Sequence, residues 1–312
     1  MVNKEPSVAV IDIGSNSIKM LIARRDRAGG LQTLKSRTLD ARISAGIAQA
    51  KPTLSEEGML RGLGAIRELV SEAGEYAPAK IVLVATSAVR DAANGAVFRQ
   101  RVKTATKHDI RILTGEEEAN YIGRGLTCDP TLADLRDFFV FDLGGGSLEC
   151  LSFEKRRIRQ ALSLQLGCVR LTEKFVKDTM APVPAAALEA ITAHVREELQ
   201  KSGFKFSPTA PAAVFTGGSM SAVRAIEGAK QGLRLEQTPA LIEVPVMRDL
   251  LAALAPLTLA QRKTVPGLPA ARADVFPAAL ATMHAVAEAA GLSQFHHSLH
   301  NLRYGLAAEL LE

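Results

Sequence analysis

Four near-continuous apolar stretches punctuate the chain: VAVIDIG (8–14), IVLVATS (81–87), FFVFDLGGG (138–146) and AAVFTGG (212–218). Each ends in Gly, Ser or Thr, and apolar, β-branched runs of this length predict strands buried on both faces. Between them the spacing changes to that of a helix. In SEEGMLRGLGAIRELVSEAG (55–74), Leu60, Leu63, Ile66 and Val70 recur at helical intervals behind Ser55, a suitable N-cap. Further helices are predicted from about Ala185 to Lys201 and over EEEANYIGRGL (116–126), preceded by Thr114-Gly115. Strands alternating with helices predict an α/β protein whose sheets are covered on both sides.

The glycine-rich ends of two strands do not lead into helices. After Asp12-Ile13-Gly14 the chain continues SNSIKMLIARR, and after Asp142-Leu143-Gly144 it continues GGSLECLSFE; both continuations look like a second strand. Strand, tight turn, strand is a hairpin whose tip presents N–H groups. Gly-x-Gly-x-x-Gly is absent, as is a phosphate loop ending in Gly-Lys-Ser/Thr. A device repeated about one domain apart is most simply an internal duplication, with a cleft between the halves. The boundary is expected near Gly125–Asp134, where GLTCDPTLAD breaks the pattern, giving domains over 1–125 and 126–312. A last helix at about 297–312 is expected to pack back on the first domain.

Composition narrows the function. A chain of 312 residues has room for two domains, and 47% hydrophobic with 23% charged residues is ordinary for a globular protein with a sizeable core. Aromatics at 4%, without Trp, argue against nucleic-acid binding by base stacking. A net charge of +5 suits a polyanionic ligand without requiring one. The densest basic run, EKRRIRQ (154–160), is read as an exposed turn or strand end. Cys128, Cys150 and Cys168 form no CxxC pair and lie in apolar settings, which predicts reduced core thiols and a cytoplasmic location. The N-terminus lacks a signal-peptide core, and LLAALAPLTLA (250–260), interrupted by Pro256, is too short to span a bilayer, so no membrane partner is expected. In HHSLH (296–300), His296 and His300 would fall four apart on a helix, but no His-Glu-x-x-His pattern supports a metal, and a polar helix face is the simpler reading.

The small residues of Asp12-Ile13-Gly14-Ser15-Asn16-Ser17 would let N–H and hydroxyl groups approach phosphate oxygens, while the Asp could hold hydrated Mg²⁺. An ordinary Gly-Ser-Asn turn explains one such motif equally well. Three are harder to dismiss: the second runs from Asp142 through Gly144, Gly145, Gly146 and Ser147 to Glu149, and Thr216-Gly217-Gly218-Ser219 follows a further strand. In TGEEEANYIG, acidic residues at a helix N-terminus are favourable through the helix dipole alone. Neighbours on a helix point about 100° apart. Glu117 shares a side with Tyr121 and Arg124 and is read as solvent-facing, whereas Glu118 shares one with Ile122, Gly125 and Leu126 and is read as inward. A carboxylate on an inward face is costly unless paired, protonated or used, which makes Glu118 the candidate for chemistry. Arg90, shortly after a strand end, could reach a phosphate or pair with Asp91 or another acid.

Taken together, AVIDIGSNSIKMLIA, TSAVRDAAN, ILTGEEEA, FVFDLGGGSLE, LGCVRL, FTGGSMSA and GLPAARADVFPAAL resemble the exopolyphosphatase and guanosine pentaphosphate phosphohydrolase (Ppx/GppA) family, in its short two-domain form. The stretches run in order from residue 8 to about 305. The resemblance implies two duplicated ribonuclease H-like domains of the actin, sugar-kinase and heat-shock ATPase superfold, with the active site in the interdomain cleft. It implies Glu118 as the catalytic base and Glu149 as a second catalytic or metal-binding carboxylate, with Asp142 near the metal. Arg90, Ser15, Asn16, Ser17, Gly145, Gly146 and Ser147 would contact phosphate, and Gly14, Gly144, Gly217, Gly218 and Ser219 complete the three small-residue loops. The expected activity is Mg²⁺-dependent hydrolysis of terminal phosphoanhydride bonds of inorganic polyphosphate, releasing orthophosphate. The alternative is 5′-phosphohydrolysis of guanosine pentaphosphate, with an ATP-dependent kinase and a non-catalytic phosphate sensor as more distant readings. A homodimer is expected by family analogy.

Overall fold

The apolar runs become central strands in the computed structural model, which describes residues 5–206 and 212–312. The chain divides into two compact units, one taking in residues up to Ala133 together with His300–Glu312, the other Asp134–Leu299. In the first unit, β1 (Ser7–Ile13) is buried at every residue except Asp12. It turns directly into β2 (Ser17–Arg25), and β3 (Leu31–Asp40) alternates in exposure, as an edge strand with one wet face should. There follow α1 (Glu56–Glu75), β4 (Lys80–Ala85), the single turn α2 (Ser87–Arg90), α3 (Gly95–Thr106), β5 (Ile110–Ile112) and α4 (Gly115–Thr127). The sheet order is β3-β2-β1-β4-β5, with β1, β2 and β3 antiparallel and β4 and β5 parallel to β1.

Alternate residues of β1 and β2 supply one core face. Ala9, Ile11, Ile13, Ile18, Met20 and Ile22 pack with Ile66 and Leu69 of α1 and Phe98 and Val102 of α3. Helix α1 starts where Ser55 predicts, its side chain accepting the Gly58 N–H. The opposite face is covered by the last helix of the chain, Leu302–Leu310, which packs on β1, β2 and α4. Contact between this helix and α4 is backbone-close. A Cβ at Gly125 would lie 2.0 Å from the Asn301 carbonyl oxygen, and one at Gly305 would lie 2.0 Å from that of Tyr121.

The second unit repeats the plan. Its strands β6 (Phe138–Leu143), β7 (Leu148–Glu154) and β8 (Arg157–Leu164) form an antiparallel meander. Helices α5 (Cys168–Phe175) and α6 (Ala185–Lys201) lead to β9 (Ala212–Thr216), which lies parallel to β6. Then come α7 (Gly218–Ala229), β10 (Leu241–Glu243), α8 (Val244–Leu254), α9 (Leu259–Arg262), the buried α10 (Phe276–Ala290) and β11 (Gln294–His297), before the chain returns to the first unit as α11 (Leu302–Leu310). The order β8-β7-β6-β9-β11 matches β3-β2-β1-β4-β5 strand for strand, with β10 added at the edge. Both sheets are therefore the same construction, as the paired glycine motifs imply.

Two expectations are adjusted. The division falls between Ala133 and Asp134 instead of after Gly125, because α4 runs on through Gly125 to Thr127. HHSLH does not form a helix face: His296 and His297 lie in β11 and His300 lies in the segment before α11. EKRRIRQ is a turn between strand ends as expected, joining β7 to the start of β8 with Lys155 and Arg156 at positive φ. Among the described residues no helix is long and apolar enough to cross a membrane.

The Gly305 contact generates the first prediction. Gly305→Ala should cost about 1–3 kcal/mol of unfolding free energy in urea titrations, because the added methyl must push two helix backbones apart. A variant as stable as the parent would show that α11 does not sit this close to α4.

Candidate active site

Each meander turns on a four-residue tip of one geometry. Gly14 N–H donates to the Ser17 carbonyl at 3.2 Å, and Gly144 N–H to that of Ser147 at 3.0 Å. The flanking pairs are Ile13 with Ile18 and Leu143 with Leu148, and one step further back Asp12 faces Lys19 whereas Asp142 faces Glu149. In the first tip Ser15, Asn16 and Ser17 are buried. Ala41 and Arg42 N–H donate to the Asn16 carbonyl, Ser44 Oγ donates to that of Ser15 at 3.1 Å, and Arg42 Nε donates to Asn16 Oδ1 at 3.1 Å. Asn16 Nδ2 is a buried donor with no acceptor among the described residues. An amide in that position fits an incoming anionic oxygen.

Parallel pairing brings the other first-unit candidates to the same sheet edge. Ile13 is level with Ala85, and Ala85 with Ile112, so the first tip, the turn after β4 and the start of α4 emerge together. Ser15 Oγ lies 3.5 Å from Ser87 Oγ. Arg90 Nη1 donates to the Leu113 carbonyl at 3.0 Å and to Glu118 Oε2 at 2.9 Å, and its Nε lies 3.5 Å from Asp91 Oδ1. Arg90 thus faces both acids.

The three glutamates of α4 separate as helix geometry requires. Glu116 is exposed. Glu117 closes a capping box, accepting from Thr114 N–H at 2.8 Å while its own N–H donates to Thr114 Oγ1. That backbone bond, then Arg111 at 2.7 Å, holds the Glu117 carboxyl below its ordinary value. Glu118, one position on, is buried. Tyr121 departs from the solvent-facing reading. It is buried, with Arg111 donating to its hydroxyl, which in turn donates to Glu309 of α11 at 2.8 Å. Neighbouring α11 covers a face that α4 alone would leave wet.

In the second unit the glycine loop after β9 packs onto the end of β6, just before the second tip. Gly217 has φ +96°, and a Cβ there would lie 2.4 Å from Asp142 Oδ1; a Cβ at Gly218 would lie 2.2 Å from Arg272 Nη2. The positive φ favours glycine at Gly217, whereas a side chain at Gly218 would have to displace the Arg272 guanidinium. Ser219 and Ser147 are buried, and so is Glu149, whose Oε1 accepts from Ser163 Oγ at 2.8 Å. Ser87, Arg42 and Arg272 escape the sequence reading. For Ser87 a signal exists, since IVLVATS ends in Thr-Ser after β4 as AAVFTGGS ends in Thr-Gly-Gly-Ser after β9.

His297 and His300 have polar partners, and the thiols are unpaired with one another. His297 Nε2 lies 3.1 Å from Ser221 Oγ and its Nδ1 3.4 Å from Arg224 Nη1, a cation where a catalytic triad has a carboxylate. His300 Nδ1 lies 3.4 Å from Asp129 Oδ2, its ring against Tyr304. No cysteine is in a disulfide, and burial pushes the Cys150 and Cys128 thiols up, away from thiolate.

For a divalent cation the carboxylates are apt. Asp12 Oδ1 is buried without a hydrogen-bond partner among the described residues; burial pushes this carboxyl up, and Lys19 and Arg303 pull it back. Asp142 and Glu149 stand directly opposite in register, a like-charge pair that a cation would relieve. No group of three or more metal-ligating His, Cys, Asp or Glu occurs among the described residues, and Mg²⁺ needs only one or two carboxylates beside phosphate oxygens and water.

Two sheets of one topology, each with a small-residue tip at the end of its first strand, define the duplicated ribonuclease H-like architecture of the actin superfold. Known structures share it. The chain superposes on an exopolyphosphatase from Cytophaga hutchinsonii with a TM-score of 0.87, covering 98% of this chain and 97% of that one at 23% identity. It superposes on a Ppx-GppA enzyme of Aquifex aeolicus with a TM-score of 0.79, covering 98% and 100% at 23% identity. Residues 21–312 match the Ppx/GppA phosphatase family, and the chain belongs to it.

The Arg90–Glu118 pair generates the second prediction. Arg90→Met should lower the unfolding free energy by about 1–3 kcal/mol: it strips a guanidinium from a buried carboxylate, although Arg90 itself keeps 24% of its side chain exposed. The Arg90→Met/Glu118→Gln double variant should regain part of that loss in the same urea titration. Losses that simply add would show the two side chains to be uncoupled.

Proposed function

We propose that this phosphatase hydrolyses the terminal phosphoanhydride bond of inorganic polyphosphate, releasing orthophosphate. The observation that carries the reading is Glu118, a buried carboxylate paired with Arg90 on the strand-end edge that also holds the first tip. A binding module needs cations and N–H groups for phosphate; a buried carboxylate beside them is repulsive unless it handles a proton. The pentaphosphate of guanosine offers the same terminal bond on a nucleotide handle.

In this mechanism the chain's own groups do little covalent work, because phosphoryl transfer depends on positioning and charge. Glu118 accepts the proton of the attacking water and aligns its lone pair with phosphorus. Arg90, held on Glu118 in the resting state, also meets a substrate phosphate and offsets the negative charge that would otherwise repel the base. In the first unit Asn16 Nδ2 and the Ser15 hydroxyl, and in the second the tip N–H groups and the hydroxyls of Ser147 and Ser219, are the donors suited to non-bridging phosphate oxygens. Asp142 and Glu149 of the second unit, and separately Asp12 of the first, are the carboxylates that would hold Mg²⁺, whose charge would offset that of the phosphate oxygens.

Phosphate release from short polyphosphate, long polyphosphate and guanosine pentaphosphate, assayed side by side with Mg²⁺, tests the assignment. Polyphosphate should be the better substrate, and a preference for the pentaphosphate would move the function to the nucleotide. An ATP-dependent phosphorylated product, or no turnover of any of the three, would overturn the reading. Within the assay, Glu118→Gln should lose about two to four orders of magnitude in kcat while KM changes little. A separate titration of Mg²⁺ should show Asp142→Asn half-saturating at a clearly higher concentration than the parent; an identical curve removes Asp142 from the metal site.

A further inference from the structure

Peptide orientation in the second tip is set from behind by α5. Cys168 N–H donates to the Gly144 carbonyl at 3.0 Å, and Val169 and Arg170 N–H donate to that of Gly145 at 2.9 and 3.2 Å. The Gly146 carbonyl is reached by the side chain of Arg170, whose Nε donates to it at 3.0 Å. Three successive carbonyls therefore point toward α5. In a trans peptide the N–H points opposite to the carbonyl of the same unit. The three N–H groups paired with those carbonyls belong to Gly145, Gly146 and Ser147, and they point away from α5. None of them donates to an acceptor among the described residues, although Gly146 and Ser147 are buried. Buried N–H groups without acceptors are costly, and successive N–H groups facing one way are a common anion-binding arrangement.

Two residues make this possible. At Gly167 a Cβ would lie 2.3 Å from the Gly145 and Gly146 carbonyl carbons, so a side chain there would lift α5 off the tip. Arg170 is buried, and its guanidinium takes the one carbonyl of the three that no helix N–H reaches. A charged donor on that carbonyl also polarises the peptide, making the Ser147 N–H a stronger donor. The first tip is held from behind in a related way: the segment after β3 takes the Ser15 and Asn16 carbonyls, while the Nε of Arg42 bonds the Asn16 side chain and not a tip carbonyl.

We propose that Arg170 is a positioning residue, which with Gly167 turns the second glycine loop's N–H groups toward the substrate phosphate without touching the substrate. The inference rests on the phosphate-binding reading of that loop. Amide NMR of the full chain with inorganic tripolyphosphate, in EDTA to prevent turnover, gives a test independent of catalysis. The amides of Gly145, Gly146 and Ser147 should shift on titration. Arg170→Met should bind tripolyphosphate about ten- to a hundredfold more weakly, the scale for losing a charged hydrogen bond, and Arg170→Lys should recover part of that. With divalent cation restored, KM should rise more than kcat falls.

A merely structural Arg170 would lower the melting temperature and leave the folded protein's affinity and KM unchanged, which would overturn the proposal; so would binding that leaves the three amides unmoved. Should Arg170→Met not fold, Arg170→Lys carries the comparison, and parental affinity there with unshifted amides overturns it equally. A parent that turns over neither substrate, yet shows the amide shifts and loses them in the variant, supports the positioning role while the hydrolase reading falls. Parental turnover with an unaffected KM in the variant does the reverse.

Discussion

Carbonyl oxygens at the hairpin tips constrain more of this chain than any single side chain does. A tip can offer its N–H groups to a ligand only if the carbonyls of the same peptides are satisfied on the other side, since an unpaired buried peptide group costs about as much as the hydrogen bond it lacks. Each unit answers this with the segment that follows its third strand: residues 41–44 behind the first tip and residues 167–170 behind the second. The third strand must then end near the tip, which the register ensures, Asp40 pairing with Ser17 and Leu164 with Leu148. Sheet order, strand length and loop chemistry follow from that single requirement.

Duplication supplied the frame, and divergence supplied the asymmetry that chemistry needs. The tips share their turn bond, yet Asp12 stands opposite Lys19 whereas Asp142 stands opposite Glu149. The first arrangement pairs a carboxylate with a cation; the second concentrates negative charge and suits a divalent ion. The fourth strand likewise leads into a single turn bearing Arg90 in one unit and into the long α7 through two glycines in the other. The Gly217 and Gly218 positions are as small as they are because Asp142 and Arg272 occupy the space a side chain would take.

Long, uniform patterns were legible in the sequence. The four apolar runs became β1, β4, β6 and β9, α1 begins after its Ser55 cap, and α6 spans the expected Ala185–Lys201. The hairpins and the inward side of Glu118 were also readable, because they depend only on local periodicity and glycine placement. What escaped depends on distant chain. Tyr121 looks exposed on an isolated α4 and is buried only because α11, nearly two hundred residues later, lies across it. β11 is four residues long, too short for alternation to show, so HHSLH suggested a helix. Arg42, Arg170 and Arg272 carry no local signature, since Asn16, the Gly146 carbonyl and Gly218, which they meet, lie on other elements.

Neighbouring Glu117 and Glu118 show how one helix start can serve structure and chemistry without conflict. Both gain from the dipole at the N-terminus of α4. The capping box commits Glu117 to the Thr114 N–H and so to the fold, with its proton affinity lowered. A rotation of about 100° points Glu118 inward, where Arg90 is a charged partner that helps make its burial tolerable. A pair of this kind contributes little net stability, because desolvating both charges offsets their attraction. On the proposed mechanism such a pair is better explained by what it readies than by what it holds together: an arginine able to turn part of its hydrogen bonding to a phosphate, beside a carboxylate placed to take a proton.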